Sequence, residues 1–285
     1  MEGSKPTTNP LISGSVVYLV SNIVNTAIPF ILLPVLTRYL SPAEYGEIAM
    51  FQLFLGALGA LVGFGVVGAA GVKYYDGHLV GHELKNFIAA CLQILVASST
   101  ITFVIIFTFR AQFSEWLGLQ EHWLLLAVAA SAASVVVQIR LSQWQVRKEA
   151  RLYGALQISQ SALNMLLTLL LVVALLQGAG GRIASQILAA LTFALLAFFL
   201  LKRDDLLGFM VWKPAYLKEA LAFGVPLIPH IGGMFLISTV DRFVIKTELG
   251  LAEVGIYMVA VQLASVMALV FDAINNAMVI RPPEA

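Results

Sequence analysis

Stripes of amide and hydroxyl side chains recur within apolar stretches of this 285-residue chain. In the first stretch Tyr18, Asn22 and Asn25 are spaced four and three residues apart, which places them on one face of a helix. Similar stripes occur in three other stretches: Ser131, Ser134, Gln138, Ser142 and Gln145; Gln157, Gln160, Ser161, Asn164 and Thr168; Gln262, Ser265, Asp272 and Asn276. Amides and hydroxyls donate and accept hydrogen bonds, so such stripes suit ligands rich in hydroxyl groups. The same side chains can instead join neighbouring helices to one another.

Basic side chains at the ends of apolar stretches are candidates for binding an anion. They are Arg38, Arg140, Arg242 and Lys246. The planar guanidinium of arginine matches the geometry of phosphate oxygens. Each side chain is also long enough to reach the membrane surface from its position near a helix end. Asp241 and Arg242 are adjacent and do not face each other on a helix, so we expect one of them to pair with another helix.

His230 lies near the middle of its apolar stretch, just after Pro226 and Pro229. Prolines remove helical hydrogen bonds and permit a bend. Because histidine titrates near neutral pH, this group is compatible with a hinge coupled to a proton gradient. A neutral histidine that hydrogen-bonds a neighbouring helix is the alternative interpretation.

The sequence favours neither an enzyme nor a metal protein. His78, His82 and Glu83 lie in a polar segment with two glycines, which is typical of a solvated loop. No catalytic triad, phosphate-binding Gly-Lys loop or pair of acidic residues stands out. The single cysteine, Cys91, excludes an internal disulfide and a multi-thiolate metal site. We therefore predict no catalytic residue, no metal and no cofactor.

The composition is that of a membrane protein. Hydrophobic residues make up 60% of the chain and charged residues 12%, about half of the roughly 25% usual in soluble domains. The mean hydropathy is +0.89. A net charge of +1 provides no basic field for nucleic acid.

Apolar stretches long enough to cross a bilayer recur along the whole chain, with short polar segments between them. We count eight, over residues 12–39, 43–70, 86–109, 122–145, 152–177, 182–201, 219–247 and 252–280. Lipid offers no partner for backbone polar groups, and the stretches lack the alternating pattern of barrel strands. The predicted fold is therefore an all-α, polytopic membrane bundle of about eight helices.

The basic residues predict the orientation, because cytoplasmic loops carry an excess of lysine and arginine. With the N-terminus inside, eleven lie on the inner side: Lys5, Lys73, Lys85, Arg140, Arg147, Lys148, Arg151, Lys202, Arg203, Lys213 and Lys218. Four lie at outer ends: Arg38, Arg110, Arg182 and Lys246. We therefore predict a cytoplasmic N-terminus, and we expect the first helix to be retained because residues 1–10 do not resemble a signal peptide.

A short string occurs twice and predicts an internal repeat. RYLSPAEYGEIA at residues 38–49 aligns with TELGLAEVGIYM at 247–258, a shift of 209 residues. The longest inner segment, 202–218, then separates a six-helix half, 1–201, from the first two helices of a second half, 219–285. An even number of helices per half makes the halves parallel, related by an axis along the membrane normal, with a cavity expected between them.

Local signals add detail to the second stretch. Ser41 suits a helix cap, Pro42 the first helical position and Glu44 the first turn. The stretch is also dense in glycine: Gly56, Gly59, Gly63, Gly65 and Gly68. Gly59 and Gly63 form a GxxxG pair, which favours close helix packing, with flexibility as the alternative.

Three stretches resemble the polysaccharide biosynthesis flippases of the multidrug/oligosaccharidyl-lipid/polysaccharide exporter (MOP) superfamily. They are LLPVLTRYLSPAEYGEIA (32–49), GAGGRIASQILA (178–189) and FGVPLIPHIGGMFLISTVDRFVIKTELGLAEVGIYMVAVQLA (223–264). The last combines Phe-Gly-x-Pro, Asp-Arg and Gly-Ile-Tyr at spacings similar to those of the family. The family usually has twelve or more helices, so we expect this chain to stop about two helices into the second half.

The resemblance implies a function. Such a protein would move polyprenyl-pyrophosphate-linked oligosaccharide across the bacterial inner membrane, for polysaccharide or O-antigen (lipopolysaccharide) synthesis, by alternating access. Membrane lipids and other polysaccharide-assembly membrane proteins are the further partners expected, and no nucleic acid. The substrate-binding candidates are then Arg242, Arg140, Arg38, Asn22, Asn25, Gln138, Gln262 and Asp272. The coupling or gating candidates are His230, Asp241, Pro226 and Pro229.

Other functions stay open from the sequence. One is an ion-coupled exporter of drugs or other small molecules in the same superfamily, and another is a fragment that does not transport by itself. A membrane polymerase or ligase of the same pathway would want a large outer loop with catalytic residues. The outer segment 110–121 is short, which disfavours that class.

Overall fold

The computed structural model describes residues 10–75, 82–207 and 212–279. Six helices precede the turn at Arg147 and Lys148: α1 (Pro10–Tyr39), α2 (Pro42–Leu61), α3 (Val66–Tyr75), α4 (His82–Thr108), α5 (Arg110–Leu117) and α6 (Glu121–Val146). Five helices follow it: α7 (Ala150–Thr168), α8 (Gly178–Arg203), α9 (Pro214–Gly224), α10 (Ile228–Leu249) and α11 (Leu251–Val279). A π-helical segment, Leu169–Ala174, extends α7, and a 3-10 turn, Val225–Leu227, joins α9 to α10.

The predicted all-α polytopic bundle is confirmed. Among the described residues, six helices or helix pairs are long and apolar enough to cross a membrane, and α2 with α3 makes a seventh if the bent pair is one span. Helix α11 is apolar over Leu251–Ser265. All eight apolar stretches coincide with described helices. The second stretch differs from the expectation, since it forms two helices at 55° and not one.

The start of α2 confirms the capping signals. Ser41 has extended backbone angles, its Oγ accepts a hydrogen bond from the Glu44 backbone N–H, and Pro42 is the first helical residue. The Glu44 carboxylate in turn accepts the Ser41 N–H at 2.8 Å. Two backbone donors at the helix end are thus satisfied by a reciprocal capping box.

Glycine causes the bend between α2 and α3. Gly63, Phe64 and Gly65 all have positive φ angles, of 84°, 45° and 73°, which a continuous helix cannot contain. The Gly63 N–H, freed from the helix, donates to Ser98 Oγ of α4 at 2.8 Å. The bend is therefore held by a buried hydrogen bond to a neighbouring helix.

Helices α2 and α11 touch backbone to backbone at two glycines, each in one copy of the repeated string. A Cβ on Gly46 would overlap the Leu251 carbonyl oxygen, and a Cβ on Gly255 would overlap the Pro42 carbonyl oxygen. Pro42 corresponds to Leu251, and Gly46 to Gly255, at the shift of 209 residues. The contact is therefore reciprocal, as expected where two equivalent helices cross at a twofold axis.

Other glycines of the second stretch also contact the later helices. Added Cβ atoms would stand 2.8 Å from the Phe235 ring at Gly56, 2.9 Å from the Phe223 ring at Gly68, and 3.0 Å from the Gly224 Cα at Gly65. Most of these glycines therefore allow close packing against neighbouring helices. The GxxxG pair does not fit that interpretation, because nothing lies within 4 Å of a Cβ on Gly59.

Four of the five ion pairs among the described residues lie at the end of the bundle that the lysine and arginine count predicts to be cytoplasmic, and the fifth, Arg110–Glu121, lies at the other end. Lys73 of α3 pairs with Glu219 of α9 at 2.5 Å. Lys85 of α4 pairs with Asp205, just beyond α8, also at 2.5 Å. By donating this hydrogen bond, Lys85 lowers the pKa of the exposed Asp205 carboxyl below its ordinary value.

Arg140 is among the largest fully buried side chains of the described residues, with 1% exposure. Its Nη2 pairs with Asp204 at 2.5 Å, and its Nη1 donates to Gln143. Its guanidinium also lies over the Trp144 ring, 4.3 Å from the centroid. These contacts join α6 to the end of α8, where the predicted linker 202–218 begins. Residues 208–211 of this segment lie outside the described residues, and the division at 202–218 stays a prediction.

Replacing either contact glycine by alanine should loosen the α2–α11 crossing. Gly46→Ala and Gly255→Ala force a methyl group into a backbone carbonyl, and we expect each to reduce stability by about 1–3 kcal/mol. Thermal unfolding in detergent measures this. Gly59→Ala is the control on the same helix; it removes a flexible glycine without a clash and should leave stability equal or higher. Equal melting temperatures for Gly46→Ala and Gly59→Ala would contradict the contact.

The buried ion pair predicts that two neighbouring aspartates contribute very differently to the free energy of unfolding. Asp204→Asn leaves the Arg140 charge buried without its partner, which should lower the free energy of unfolding by about 3 kcal/mol. Asp205→Asn removes an exposed pair and should change stability little, because solvent screens it. Similar melting temperatures for the two variants would show that Arg140 does not depend on Asp204.

Candidate functional site

A cavity of about 260 Å³ lies where α1, α2, α8 and α11 meet, beside the glycine crossing. Most of its wall is aliphatic. Its lining residues are Pro29, Leu32 and Leu36 of α1, Tyr45, Ile48, Ala49 and Gln52 of α2, Arg182 of α8, and Met258, Val261, Gln262 and Ser265 of α11. An arginine, two amides and two hydroxyls thus face one space, a combination suited to a ligand that is both anionic and rich in hydroxyls.

Arg182 enters the cavity wall from the first turns of α8 and is 8% exposed. Its Nη1 donates to Asn164 Oδ1 at 2.8 Å and to Thr168 Oγ1 at 2.9 Å, both on α7. Ser185 Oγ lies 3.4 Å from the same nitrogen. Three neutral oxygens therefore hold one corner of the guanidinium in place.

The positive charge of Arg182 is not neutralised within the described part of the chain. None of the ion pairs among the described residues includes it, and its buried Nε has no hydrogen-bond partner there. A charge in such surroundings is costly unless an anion or water meets it. The site is therefore electrostatically prepared for an anion.

The local chain path explains how Arg182 reaches this position. Beyond Thr168 the helix widens into the π-helical segment Leu169–Ala174, a feature that is frequent at functional sites. The chain then turns, and α8 returns close against this segment; a Cβ on Gly181 would stand 3.1 Å from the Leu171 carbonyl oxygen. The absence of a side chain at Gly181 lets the first turn of α8 bring Arg182 against α7.

The opposite wall is a hydrogen-bonded bridge between three helices. Tyr45 OH of α2 donates to Gln262 Oε1 of α11 at 2.7 Å. Gln262 Nε2 donates to the Pro29 carbonyl of α1 at 2.8 Å. The amide of Gln262 thus uses its acceptor on α2 and one donor on α1, which fixes its orientation toward the cavity.

Of the predicted substrate-binding residues, the structure places Gln262 in the cavity wall. Arg38 is exposed in the last turn of α1 and Gln138 is exposed on α6. Arg140 belongs to the buried network with Asp204 and does not line this cavity. Asp272 lies in α11, and its side chain is outside the described residues.

Asn22 and Asn25 lie in a polar seam between α1 and α7. Asn25 Oδ1 accepts a hydrogen bond from Ser161, and Asn22 Oδ1 lies 3.5 Å from Gln157 Nε2. For Asn25 the structure favours the alternative interpretation, in which polar side chains join neighbouring helices.

The coupling candidates lie in α10 and in the turn that precedes it. Pro226 lies in the 3-10 turn between α9 and α10, and Pro229 in the first turn of α10, so both stand where the helix is interrupted. His230 is exposed. Asp241 accepts a hydrogen bond from Tyr257 of α11, while Arg242 is half-buried with no partner at Nε among the described residues. The Asp-Arg pair thus contacts another helix through its aspartate. A role of these residues in coupling stays a prediction.

Sequence reasoning missed Arg182 and Tyr45. Arg182 stands in the fifth position of its helix, where an arginine that reaches for the membrane surface looks the same. One signal was present, because Arg182 lies in the stretch 178–189 that carries part of the family resemblance. For metals, no group of three His, Cys, Asp or Glu side chains comes together among the described residues. His78 lies outside them and His82 begins α4.

Comparison with known proteins identifies the family of the chain and supports its fold. A family described as "Polysaccharide biosynthesis protein" matches residues 11–280. The chain belongs to this family. It is similar to "Lsg locus putative protein 1" of Haemophilus influenzae, with 27% identity over 93% of this chain. The chain spans 64% of the length of that relative.

Transporters of the MOP superfamily are among the solved structures that share this fold. A crystal structure of MATE in complex with Br-NRF superposes with a TM-score of 0.61 at 16% identity, over 79% of this chain and 54% of the other. A MOP-superfamily transporter from Pyrococcus furiosus superposes with a TM-score of 0.58 at 18% identity, over 90% of this chain and 58% of the other. These likenesses confirm the fold of a multi-pass membrane protein.

Thiol labelling tests whether water reaches the cavity. The native Cys91 is buried, so the unmodified chain should not react with a charged, membrane-impermeant thiol reagent. Gln52→Cys should react, because Gln52 is exposed and faces the cavity. Val104→Cys is the control; its position on α4 is 56% exposed and apolar, so we expect lipid to cover it. Labelling of Val104→Cys but not of Gln52→Cys would contradict a water-filled cavity.

Proposed function

We propose that the chain takes part in moving a polyprenyl-pyrophosphate-linked oligosaccharide across the bacterial inner membrane, and that Arg182 binds the pyrophosphate. The observation that carries this proposal is the buried arginine, without a carboxylate partner among the described residues, in a cavity that also presents Tyr45, Gln52 and Gln262. Membership of the polysaccharide biosynthesis family supports transport of a glycan and not catalysis. O-antigen synthesis is the pathway we expect.

In the proposal, the charged and the neutral side chains of the cavity bind different parts of the substrate. The guanidinium of Arg182 would meet the pyrophosphate, because no ion pair among the described residues neutralises its charge. Gln52, Gln262 and Ser265 would meet sugar hydroxyls, since each side chain both donates and accepts. The polyprenyl chain would stay in the bilayer. In this scheme Arg182 replaces Arg242, Arg140 and Arg38 as the leading phosphate ligand.

The positions of the charged residues support an orientation in which the N-terminus lies on the cytoplasmic side of the membrane. Lys73, Lys85 and Arg140 form ion pairs at one end of the bundle, whereas the Ser41 cap and the α10–α11 turn lie at the other end. The cavity lies nearer this second end, because Tyr45 is three residues into α2 and Arg182 four residues into α8. In the proposed orientation the site therefore belongs to the outer half of the membrane.

An exporter of amphipathic cations is the second candidate, and the shared MOP fold is what favours it. The unneutralised charge of Arg182 opposes it, because a positive cavity wall repels a cationic drug. The affinities of the purified chain for polyprenyl pyrophosphate and for amphipathic cations, measured side by side, distinguish the two proposals.

Binding of polyprenyl pyrophosphate by the purified chain should depend on Arg182. We expect Arg182→Gln to lower the affinity roughly tenfold or more, since a charge-assisted hydrogen bond is removed. Arg182→Lys keeps the charge but not the planar fork and should retain part of the affinity. Native mass spectrometry with polyprenyl pyrophosphate, with polyprenol as the neutral probe, measures the difference.

Arg38→Gln is the matched control, because Arg38 is exposed at the end of α1 and does not line the cavity. It should leave binding unchanged. Thermal unfolding of each variant separates loss of binding from loss of the fold. If well-folded Arg182→Gln binds polyprenyl pyrophosphate as the native chain does, or if the native chain prefers amphipathic cations, the proposal is wrong.

A further inference from the structure

A second hollow lies on another face of α2, away from the cavity. It is an apolar groove of about 360 Å³ between α2, α4, α5 and α10. Six of its lining residues define the groove: Ala57 and Leu61 of α2, Ile105 of α4, Phe113 and Trp116 of α5, and Phe243 of α10. Leu61, Ile105, Trp116 and Phe243 are between 38% and 57% exposed, so the groove is open toward the surroundings of the bundle.

Two residues of opposite charge, Lys246 and Glu115, lie next to the groove residues Phe243 and Trp116, and we call this end of the groove its rim. Lys246 Nζ donates to the backbone carbonyl of Glu115 at 2.6 Å, which holds the ammonium one residue from Trp116. Lys246 and Phe243 are three residues apart on α10 and therefore share a face. The exposed Glu115 carboxylate forms no ion pair with any described residue, and neither does Lys246.

We expect the rim to lie at the level of a membrane surface, because Trp116 is part of this end of the groove. Gly118, two residues after Trp116, packs against the Leu251 side chain at the α10–α11 turn. Tryptophan is enriched at this depth because its ring is apolar and its N–H is polar. The groove thus descends from a polar rim into the apolar layer, which is the arrangement of a lipid headgroup above its acyl chain.

We propose that the groove binds one molecule of an aminophospholipid such as phosphatidylethanolamine. An acyl chain fills the groove, Lys246 binds the phosphate and Glu115 binds the headgroup ammonium. The assignment follows from charge complementarity, because Lys246 Nζ is held at the backbone of Glu115, so a cation and a carboxylate belong to contacting residues, as the phosphate and the ammonium are neighbours in the headgroup. The ammonium of phosphatidylethanolamine can also donate a hydrogen bond to the carboxylate, which the quaternary ammonium of phosphatidylcholine cannot. An anionic phospholipid would match Lys246 and be repelled by Glu115.

A lipid in this groove would contact helices on both sides of the predicted linker. Helix α5 precedes the predicted linker at 202–218 and α10 follows it, so the lipid would join the two sides of the bundle at the membrane surface. This site is separate from the cavity of Arg182 and does not depend on the function proposed for it.

Native mass spectrometry of the purified chain in equimolar phosphatidylethanolamine, phosphatidylglycerol and phosphatidylcholine tests the proposal. We expect one retained phosphatidylethanolamine, preferred about fivefold over the other two. Lys246→Gln should remove that retained lipid. Glu115→Gln should abolish the preference over phosphatidylglycerol while phosphate binding persists. Ala57→Phe, which fills the groove, should lower retention of all three lipids.

Glu248→Gln is the control for charge, because Glu248 is exposed on α10 but lies two residues from Lys246, on a different face of the helix. It should leave the preference intact. Glu115 is exposed, so Glu115→Gln should fold normally and keeps the test decisive even if Ala57→Phe does not fold. Equal retention of the three lipids by the native chain, a preference for phosphatidylglycerol, or a preference unchanged in Glu115→Gln would each overturn the proposal.

Discussion

The structure depends on a contact in which two helices meet without side chains between them. At Gly46 and Gly255 each glycine lies under a carbonyl oxygen of the opposite helix, Leu251 or Pro42. In lipid the hydrophobic effect does not drive helices together, so close backbone approach and van der Waals packing must do so. Because the two sites occupy equivalent positions in the predicted internal repeat, one local pattern supplies both sides of the contact.

The cavity follows from this crossing. Helices α2 and α11 touch at the glycines, and Tyr45 and Gln262 join the same two helices by a hydrogen bond. The space beyond them is closed by α1 and by the Arg182 wall of α8. At the other end of α2, Gly65 meets Gly224 and Lys73 pairs with Glu219, so α2 and its continuation α3 contact the later helices at both ends of the bent pair.

The two buried arginines show how the same residue type serves different purposes. Arg140 has a carboxylate partner, an amide partner and an aromatic ring, which satisfies the charge within the protein. Arg182 has only neutral partners on one nitrogen among the described residues, so its charge stays available to the cavity. A buried cation that the fold leaves unneutralised is the arrangement expected at a site for an anionic ligand and not at a structural contact.

The sequence by itself determined the helices, because backbone hydrogen bonds within a helix are local and a 20-residue apolar stretch in lipid has no other stable conformation. It also determined the cap at Ser41 and Glu44, whose partners are three residues apart, and it predicted the repeat. The tertiary structure decided which glycines pack, which arginine faces the cavity and where α2 bends. Each of these depends on atoms far apart in the chain, such as Ser98 for the bend and Asn164 for Arg182. A stripe of polar residues on one helix cannot show whether it faces a neighbour or a cavity, since both environments satisfy the same donors and acceptors.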